Sequence, residues 1–242
     1  IRVAQPSIAV APSQGLVDLL SSAVLYEDEQ LIVINKPQGL AVHMGSGLQT
    51  GLIEALRWIK KEQGREEDFL ELAHRIDKDT TGCLVIAKTP LFLKYLQAEF
   101  KARRVHKHYH AIVHGAWSED IREVNAPLLK RDIHEGEKIV TVDESGKASN
   151  TTFRLIKSSQ AASFIEASPL TGRTHQIRVH CQYAGHPIVG DRKYTALHPN
   201  SLTHVKTLCL HAASIEFALE DGRKISVQAP LAEHMRQLLD SL

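Results

Sequence analysis

The apolar residues of this chain come in short runs, and that pattern limits what it can fold into. The longest, such as Leu31 to Ile34 and Cys83 to Ala87, are four or five residues. A bilayer-spanning helix needs about 20, and no run approaches that length. Short β-branched and aliphatic runs bounded by Pro, Gly, Asn or Asp mark buried strands instead. The 242 residues suffice for one or two domains with a sizeable core. At 43% hydrophobic and 24% charged residues, the composition excludes collagen-like, low-complexity and largely disordered chains.

Strands are predicted at Val24–Lys36 (two, around the turn Glu27-Asp28-Glu29-Gln30), Leu84–Lys88, Tyr109–His114 and Lys138–Val142. Further strands are predicted at Thr151–Ile156, Ser163–Ala167, Leu208–Leu219 and Lys224–Gln228. Pro37 ends the second strand, because proline brings no ladder N–H. Leu52, Ile53, Leu56 and Ile59 share a helical face and predict a helix over 50–63, stopped by Gly64. Leu93, Leu96 and Phe100 predict another over Leu91–Arg104 behind Pro90. A third is expected over His175–Ala184, with Thr174 as N-cap and Gly185 just past its end. Leu231–Leu242 reads as a closing helix with Pro230 in its first position. Strands outnumber helices and do not alternate with them one for one. The expected fold class is therefore α+β, a mixed and mainly antiparallel central sheet with surrounding helices. Residues 1–20, punctuated by Pro6, Pro12 and Gly15, read as a linker or docking arm before a domain spanning 21–242.

Charge is nearly balanced, with 29 Lys and Arg against 28 Asp and Glu, a net +1. Taken alone, that argues against a polyanion as partner. Net charge says little about a local patch, however, and 14 histidines can add charge below about pH 6.5. Three widely spaced cysteines (Cys83, Cys181, Cys209) without a CxxC pair suit a reducing compartment. The sequence starts at Ile1 without a signal-peptide pattern. A cytoplasmic location is expected, as is a segment upstream of this sequence.

Three clusters could carry chemistry. The densest is His74-Arg75-Ile76-Asp77-Lys78-Asp79-Thr80-Thr81-Gly82, directly before a buried strand. Cations beside a carboxylate favour its ionised form, as a nucleophile or base requires; the plainer reading is a solvated turn. Asp77-Lys78-Asp79-Thr80-Thr81 also fits an Asp-x-Asp-x-Thr phosphotransferase signature, but no apolar strand leads into it. An EF-hand register would place Lys88 where a bidentate glutamate is required, which excludes calcium. Gly45, Gly47 and Gly51 miss the dinucleotide spacing by one position. His180-Cys181 and Cys209-x-His211 lack paired metal-ligand spacing.

The second cluster is Thr171-Gly172-Arg173-Thr174-His175-Gln176-Ile177-Arg178-Val179-His180. Ile177, Cys181 and Ala184 share the buried face of the predicted helix. Arg178 lies beside that face, either snorkelling outward or reaching a buried carboxylate. The third, Lys101-Ala102-Arg103-Arg104-Val105-His106-Lys107-His108-Tyr109-His110, holds four fixed cations and no acid. Phosphate-binding cations running into a strand with an aromatic residue favour nucleic acid over a merely solvated face.

Taken in order, these clusters resemble the RluA-type pseudouridine synthases. The match starts at Asn35-Lys36-Pro37-Gln38-Gly39-Leu40-Ala41-Val42-His43 and runs through the His74–Gly82 block and Lys107-His108-Tyr109-His110-Ala111. It continues through Gly172–His180 to Leu210-His211-Ala212, covering roughly residues 24–235. His43-Met44-Gly45-Ser46-Gly47, Ala126-Pro127-Leu128-Leu129-Lys130 and Gln182–Ile188 point to its members acting on large-subunit (23S) ribosomal RNA. The resemblance implies an RNA uridine isomerase, in which the N1–C1′ bond breaks, the base turns, and C5 joins C1′. It implies Asp77 as the catalytic aspartate, by attack on the sugar, addition to the base or base catalysis. Tyr109 would pack against the target base, Arg178 would pair with the aspartate, and Ile177 would lie beside it under the base. Arg75 would enter the space left by the flipped uridine, offsetting part of its unstacking cost. Lys101, Arg103, Arg104 and Lys107 are the expected RNA-backbone contacts.

No metal or organic cofactor, no membrane and a monomeric state are implied. Ile76, Thr81 and Cys83 depart mildly from the family pattern in supporting positions. Relatives of this kind often carry a small S4-like RNA-binding domain first, of which residues 1–20 would be the trailing linker. The competing readings are the same chemistry on tRNA and a catalytically silent RNA-binding module. More remote is a phosphotransferase, for which the late carboxylates form no second acidic motif.

Overall fold

A computed structural model describes residues 11–43, 51–64, 69–132, 138–195, 202 and 204–241. The Met44–Gly47 stretch and residues 1–10 of the expected arm lie outside them. Helix α1 (Gln14–Ser22) leads into a hairpin of β1 (Val24–Glu27) and β2 (Leu31–Lys36), followed by α2 (Leu52–Glu62). Strands β3 (Glu71–Leu72) and β4 (Thr81–Ala87) flank the polar block. Helix α3 (Pro90–Lys101) and β5 (His106–His114) carry the basic run. Next come β6 (Glu123–Asn125), the hairpin of β7 (Leu128–Asp132) and β8 (Lys138–Val142), then β9 (Asn150–Ser158) and β10 (Ala162–Pro169). Helix α4 (Gln176–Tyr183), β11 (Leu210–Ala218), β12 (Lys224–Gln228) and α5 (Glu233–Asp240) complete the order. No described helix is long and apolar enough to cross a membrane.

Ten of the strands form one sheet in the order β1-β2-β4-β11-β5-β10-β9-β6, with β3 added on β4 and β12 on β11. Among the described residues all its strand pairings are antiparallel except β4 with β11. The expected α+β class with a mixed, mainly antiparallel sheet is the one observed. Strand β11 divides one edge between two partners: His211 and Ala212 lie parallel to β4, and Ser214–Ala218 pair with β12. This division brings the start of β4, and the polar block before it, to the middle of the sheet.

Helix α1 occupies part of the stretch expected as a linker. Ser13 Oγ caps it by accepting from Leu16 N at 3.3 Å, and Leu20 is fully buried. Pro12 and Gly15 hid this signal, since both read as loop residues. Helix α4 starts at Gln176, one residue later than expected, and its N-cap is His175, in the left-handed region at φ 53°, and not Thr174. Helix α5 starts behind Ala232, leaving Pro230 outside it. Strands β3, β6 and β7 escaped prediction because short runs such as Glu-Leu and Glu-Val-Asn carry no periodicity.

Two apolar clusters sit at the two halves of the sheet. One collects Leu31–Ile34, Leu84–Ala87 and the inner faces of α2 and α3. The other collects Ala111–Val113, Ile165, Ile177, Cys181, Ile188 and Met235. Each fully buried Leu or Ile contributes roughly 1.5–3 kcal/mol. Tyr109 packs against both clusters. It marks the seam between the halves, where a cleft can open.

The parallel pairing at that seam depends on Gly82. Its φ is 103°, and a Cβ there would lie 2.2 Å from the Ala212 carbonyl oxygen. The Gly82→Ala variant is expected to lose about 3 kcal/mol or more. In a domain of this size that lowers Tm by roughly 6–12 °C, measured by thermal unfolding followed by circular dichroism.

Candidate active site

The polar block folds as a turn that presents Asp77 at the seam. Thr80 N donates to Asp77 O at 3.1 Å to close the turn. Beneath it lies Lys36, whose side chain is fully buried. Its Nζ donates to the carbonyls of Pro37, Leu40 and Lys78 at 2.9, 2.9 and 2.8 Å. Burial pulls the Lys36 pKa down to about 8, against the opposing pull of Asp79 and Asp77. This ammonium ties the Asp77 turn to the end of β2 and has its three donors satisfied.

Across the seam, α4 supplies the cation. Arg178 Nη1 donates to Asp77 Oδ2 at 3.1 Å. Its Nε and Nη2 form a bidentate pair with Asp191, at 2.7 and 2.9 Å. The Arg178 side chain is 12% exposed and that of Asp191 fully buried. Burial works against the cation, but the Asp191 bonds and the charges of Asp191 and Asp77 outweigh it and raise the Arg178 pKa. The guanidinium also faces the Tyr194 ring, 5.1 Å from its centroid. Of the two readings of Arg178, the inward one holds.

His175 completes the surroundings of Asp77. Val140 N–H donates to Tyr194 Oη at 3.2 Å, and His175 Nδ1 lies 2.7 Å from the same oxygen. Tyr194 Oη thus joins the backbone of β8 to the His175 ring, whose Nε2 is the nitrogen on the other side. That nitrogen faces Asp77 Oδ2 at 3.7 Å. Burial lowers the His175 pKa, with Asp77 opposing and Arg178 adding to the shift. The loop before α4 is fixed by buried Gln176. Its Oε1 accepts from Thr171 Oγ1 and Arg173 N, and its Nε2 donates to Asn150 O and Thr151 Oγ1.

A cavity of about 340 Å³ opens beside Asp77, within the range of small-ligand sites. Tyr109, Ile177, Phe100 and Lys107 line it, with Arg75 and Arg173 exposed on its walls. Burial, and then the charge of Asp77, raises the Tyr109 pKa, so the phenol stays neutral at ordinary pH. A second cleft of about 590 Å³ meets the first at Arg75, Asp77, His175 and Arg178. Lys78, Arg192, Lys193 and Lys206 line it.

The structure thus gathers Asp77, Arg75, Tyr109, Ile177, Arg178 and Lys107 around one cavity. It does not keep the basic run together. Lys101 and Arg103 are exposed at the end of α3, and Arg103 takes a left-handed φ of 61°. Arg104 folds back onto Glu99 in two bonds, at 2.8 and 2.5 Å. The run contains no acid, but the preceding helical turn supplies one. Asp191, His175, Gln176, Tyr194 and Lys36 were not singled out by sequence. An inward Arg178 required a buried carboxylate, and Gly190-Asp191 after the apolar Ile188-Val189 was the available signal. Among the described residues, no three His, Cys, Asp or Glu side chains gather as metal ligands would.

The fold and this site belong to a known class. Residues 30–183 match the family described as RNA pseudouridylate synthase, and the chain belongs to that family. It is an RNA pseudouridine synthase, an isomerase, of the RluA type. It is 45% identical over 227 residues to ribosomal large subunit pseudouridine synthase C of Vibrio cholerae, covering 92% of this chain and 70% of the relative. The Escherichia coli protein of the same name is 41% identical over 249 residues, covering 100% and 77%. Among solved structures, human RNA pseudouridylate synthase domain containing 4 superposes with a TM-score of 0.78 at 27% identity, covering 94% of this chain and 96% of that one.

The Asp191 side chain is fully buried, and it meets the cavity that holds Asp77 through Arg178. The Asp191→Asn variant keeps acceptors for the backbone N–H groups of Lys193 and Tyr194 but loses the charge that anchors the guanidinium. Its kcat is expected to fall about 10- to 100-fold through misplacement of Arg178 and Asp77. RNA affinity should change less than threefold, as single-turnover kinetics and filter binding will read.

Proposed function

We propose that this protein converts specific uridines of large-subunit (23S) ribosomal RNA to pseudouridine, with Asp77 as its catalytic residue. The observation that carries this is the placement of one carboxylate. Asp77 lies on the wall of a nucleoside-sized cavity, held by Arg178 at 3.1 Å, with Tyr109 and Ile177 on the same cavity. Ribosomal RNA as the substrate is supported by the 41–45% identity to relatives named for the ribosomal large subunit. The three cysteines are free and buried, which suits action in the reducing cytoplasm.

A uridine inside a helix is out of reach of Asp77, so it must leave the stack at a cost of a few kcal/mol. Tyr109 and Ile177 offer a flat apolar seat for the extruded base. Arg75, exposed where the two clefts meet, is placed to fill the space left behind. Arg178 fixes the direction of the Asp77 carboxylate before substrate arrives, so its orientation costs nothing during reaction. The cations of the second cleft and the exposed Lys101 and Arg103 suit RNA phosphates.

Two outcomes are expected. The Asp77→Asn variant should make no detectable pseudouridine while binding RNA within about threefold of the wild type. Mapping pseudouridines in ribosomal RNA of cells lacking this protein should show specific positions left as uridine. Normal turnover by the variant, or an unchanged map, would overturn the assignment.

A third outcome concerns charge. Joint Lys101→Ala and Arg103→Ala substitution should lower the slope of log affinity against log salt by about 1–2. Arg104→Ala should leave that slope nearly unchanged, because Glu99 already neutralises this arginine.

A further inference from the structure

Lys107 is the cation of the basic run that turns inward. Residues two apart on a strand share a face, so Lys107 and Tyr109 of β5 both line the cavity that holds Asp77. The Lys107 ammonium lies 6.0 Å from the Phe100 ring centroid. Among the described residues no carbonyl or carboxylate accepts a hydrogen bond from it. The Lys107 side chain is partly buried, whereas the fully buried Lys36 meets three carbonyls, as a cation wholly withdrawn from water requires. Lys107 keeps three donors beside a cavity and has no protein acceptor for them.

The charged and titratable groups facing that cavity are few. His74, Arg75 and Asp77 come from the turn before β4, Tyr109 from β5, and Arg173, His175 and Arg178 from the start of α4. His74 accepts from Val85 N at 3.0 Å, and burial and then Lys107 push its pKa down to about 3, so it is neutral. Burial alone lowers the Lys107 pKa to about 8. At neutral pH the ammonium is therefore mostly charged. The exposed Arg173 is open to phosphates of the strand, and the exposed Arg75 to the space the flipped uridine leaves. Lys107 lines the cavity with Phe100 and Tyr109 and is less exposed than either arginine.

We propose that Lys107 is a catalytic residue, its ammonium donating to a carbonyl oxygen of the target uracil and stabilising the negative charge that builds there as the N1–C1′ bond breaks. This rests on the reading of the cavity as the uridine pocket. The electron pair of that bond leaves with the base and spreads over N1 and the O2 and O4 oxygens. It returns when C5 bonds to C1′; C5 then gives up its proton to solvent and N1 takes one, so nothing is oxidised or reduced. A fixed cation at an oxygen where charge develops acts in the transition state more than in the ground state.

The test is single-turnover kinetics of the full chain on a large-subunit ribosomal RNA transcript, from about pH 6 to 10, with affinity measured alongside. The wild-type rate should decline above about pH 8, where the ammonium loses its proton. Lys107→Met should lower the rate about 100-fold, leave affinity within threefold, and abolish that decline. Lys107→Arg should retain activity within about tenfold, with no decline below pH 10, because a guanidinium stays protonated. A wild-type rate in Lys107→Met would overturn the proposal. So would weaker affinity at an unchanged rate, which marks a phosphate contact. A decline near pH 8 that persists in Lys107→Arg would also overturn it, assigning the titration to Lys36. If Lys107→Met does not fold, Lys107→Arg and the wild-type profile decide. A wild type without turnover would instead overturn the function assigned to the cavity, and this inference with it.

Discussion

The site depends on one arginine shared by two carboxylates. Taking a guanidinium out of water costs several kcal/mol, recovered only when well-placed acceptors satisfy it. Asp191 provides two of these in bidentate form, with its own side chain fully buried. That leaves one nitrogen of Arg178 for Asp77, 101 residues away in the chain. Removing Asp191 leaves a buried cation with one half-exposed partner, whereas removing Asp77 leaves Arg178 still paired. The asymmetry gives the carboxylates different duties: Asp191 holds the arginine, and the arginine holds Asp77.

Everything around this bridge supplies position. Strand β4 brings Asp77 to the seam through a parallel contact with β11 that only glycine at position 82 permits. Lys36 stitches the turn from below through three carbonyls. Gln176 stitches the loop before α4 with all four of its bonds. Tyr194 joins the two sides, since its ring faces Arg178 and its hydroxyl is hydrogen-bonded to His175 Nδ1. Buried polar groups satisfied this fully are rigid, and rigidity is what aiming a carboxylate requires.

The elements with strong periodicity were legible in the sequence, including the hairpin of β1 and β2, the buried run of β4 and the amphipathic faces of α2 and α4. So were the residues that stand in dense polar clusters: Asp77, Arg75, Arg178 and, beside the strand, Tyr109. What was not legible shares one physical character. Strands β3, β6 and β7 exist through their pairing, which no local pattern records. Asp191 acts by contact with a residue 13 positions earlier, a pairing that its own neighbours, Gly190 and Arg192, do not record. The basic run misled for the same reason. Its four fixed cations are contiguous in sequence, but folding sends Lys107 into the cavity, pairs Arg104 with Glu99 and leaves Lys101 and Arg103 outside.

The same sorting accounts for a near-neutral chain that handles a polyanion. A net charge of +1 averages over groups in very different settings. Some cations are already neutralised, as Arg104 is by Glu99, and others are held within the protein, as Lys36 and Arg178 are. Of the exposed remainder, Arg75 lies where the two clefts meet and Arg173 on the first cavity's wall, and solvent screening confines their reach to roughly a Debye length. Lys107 holds its charge on the cavity wall, partly withdrawn from solvent. Desolvation that lowers the pKa of this ammonium also strengthens its field on whatever enters the cavity. The feature costly for folding is therefore the one able to act on a bond in the base, and a wholly solvated basic face could not supply it.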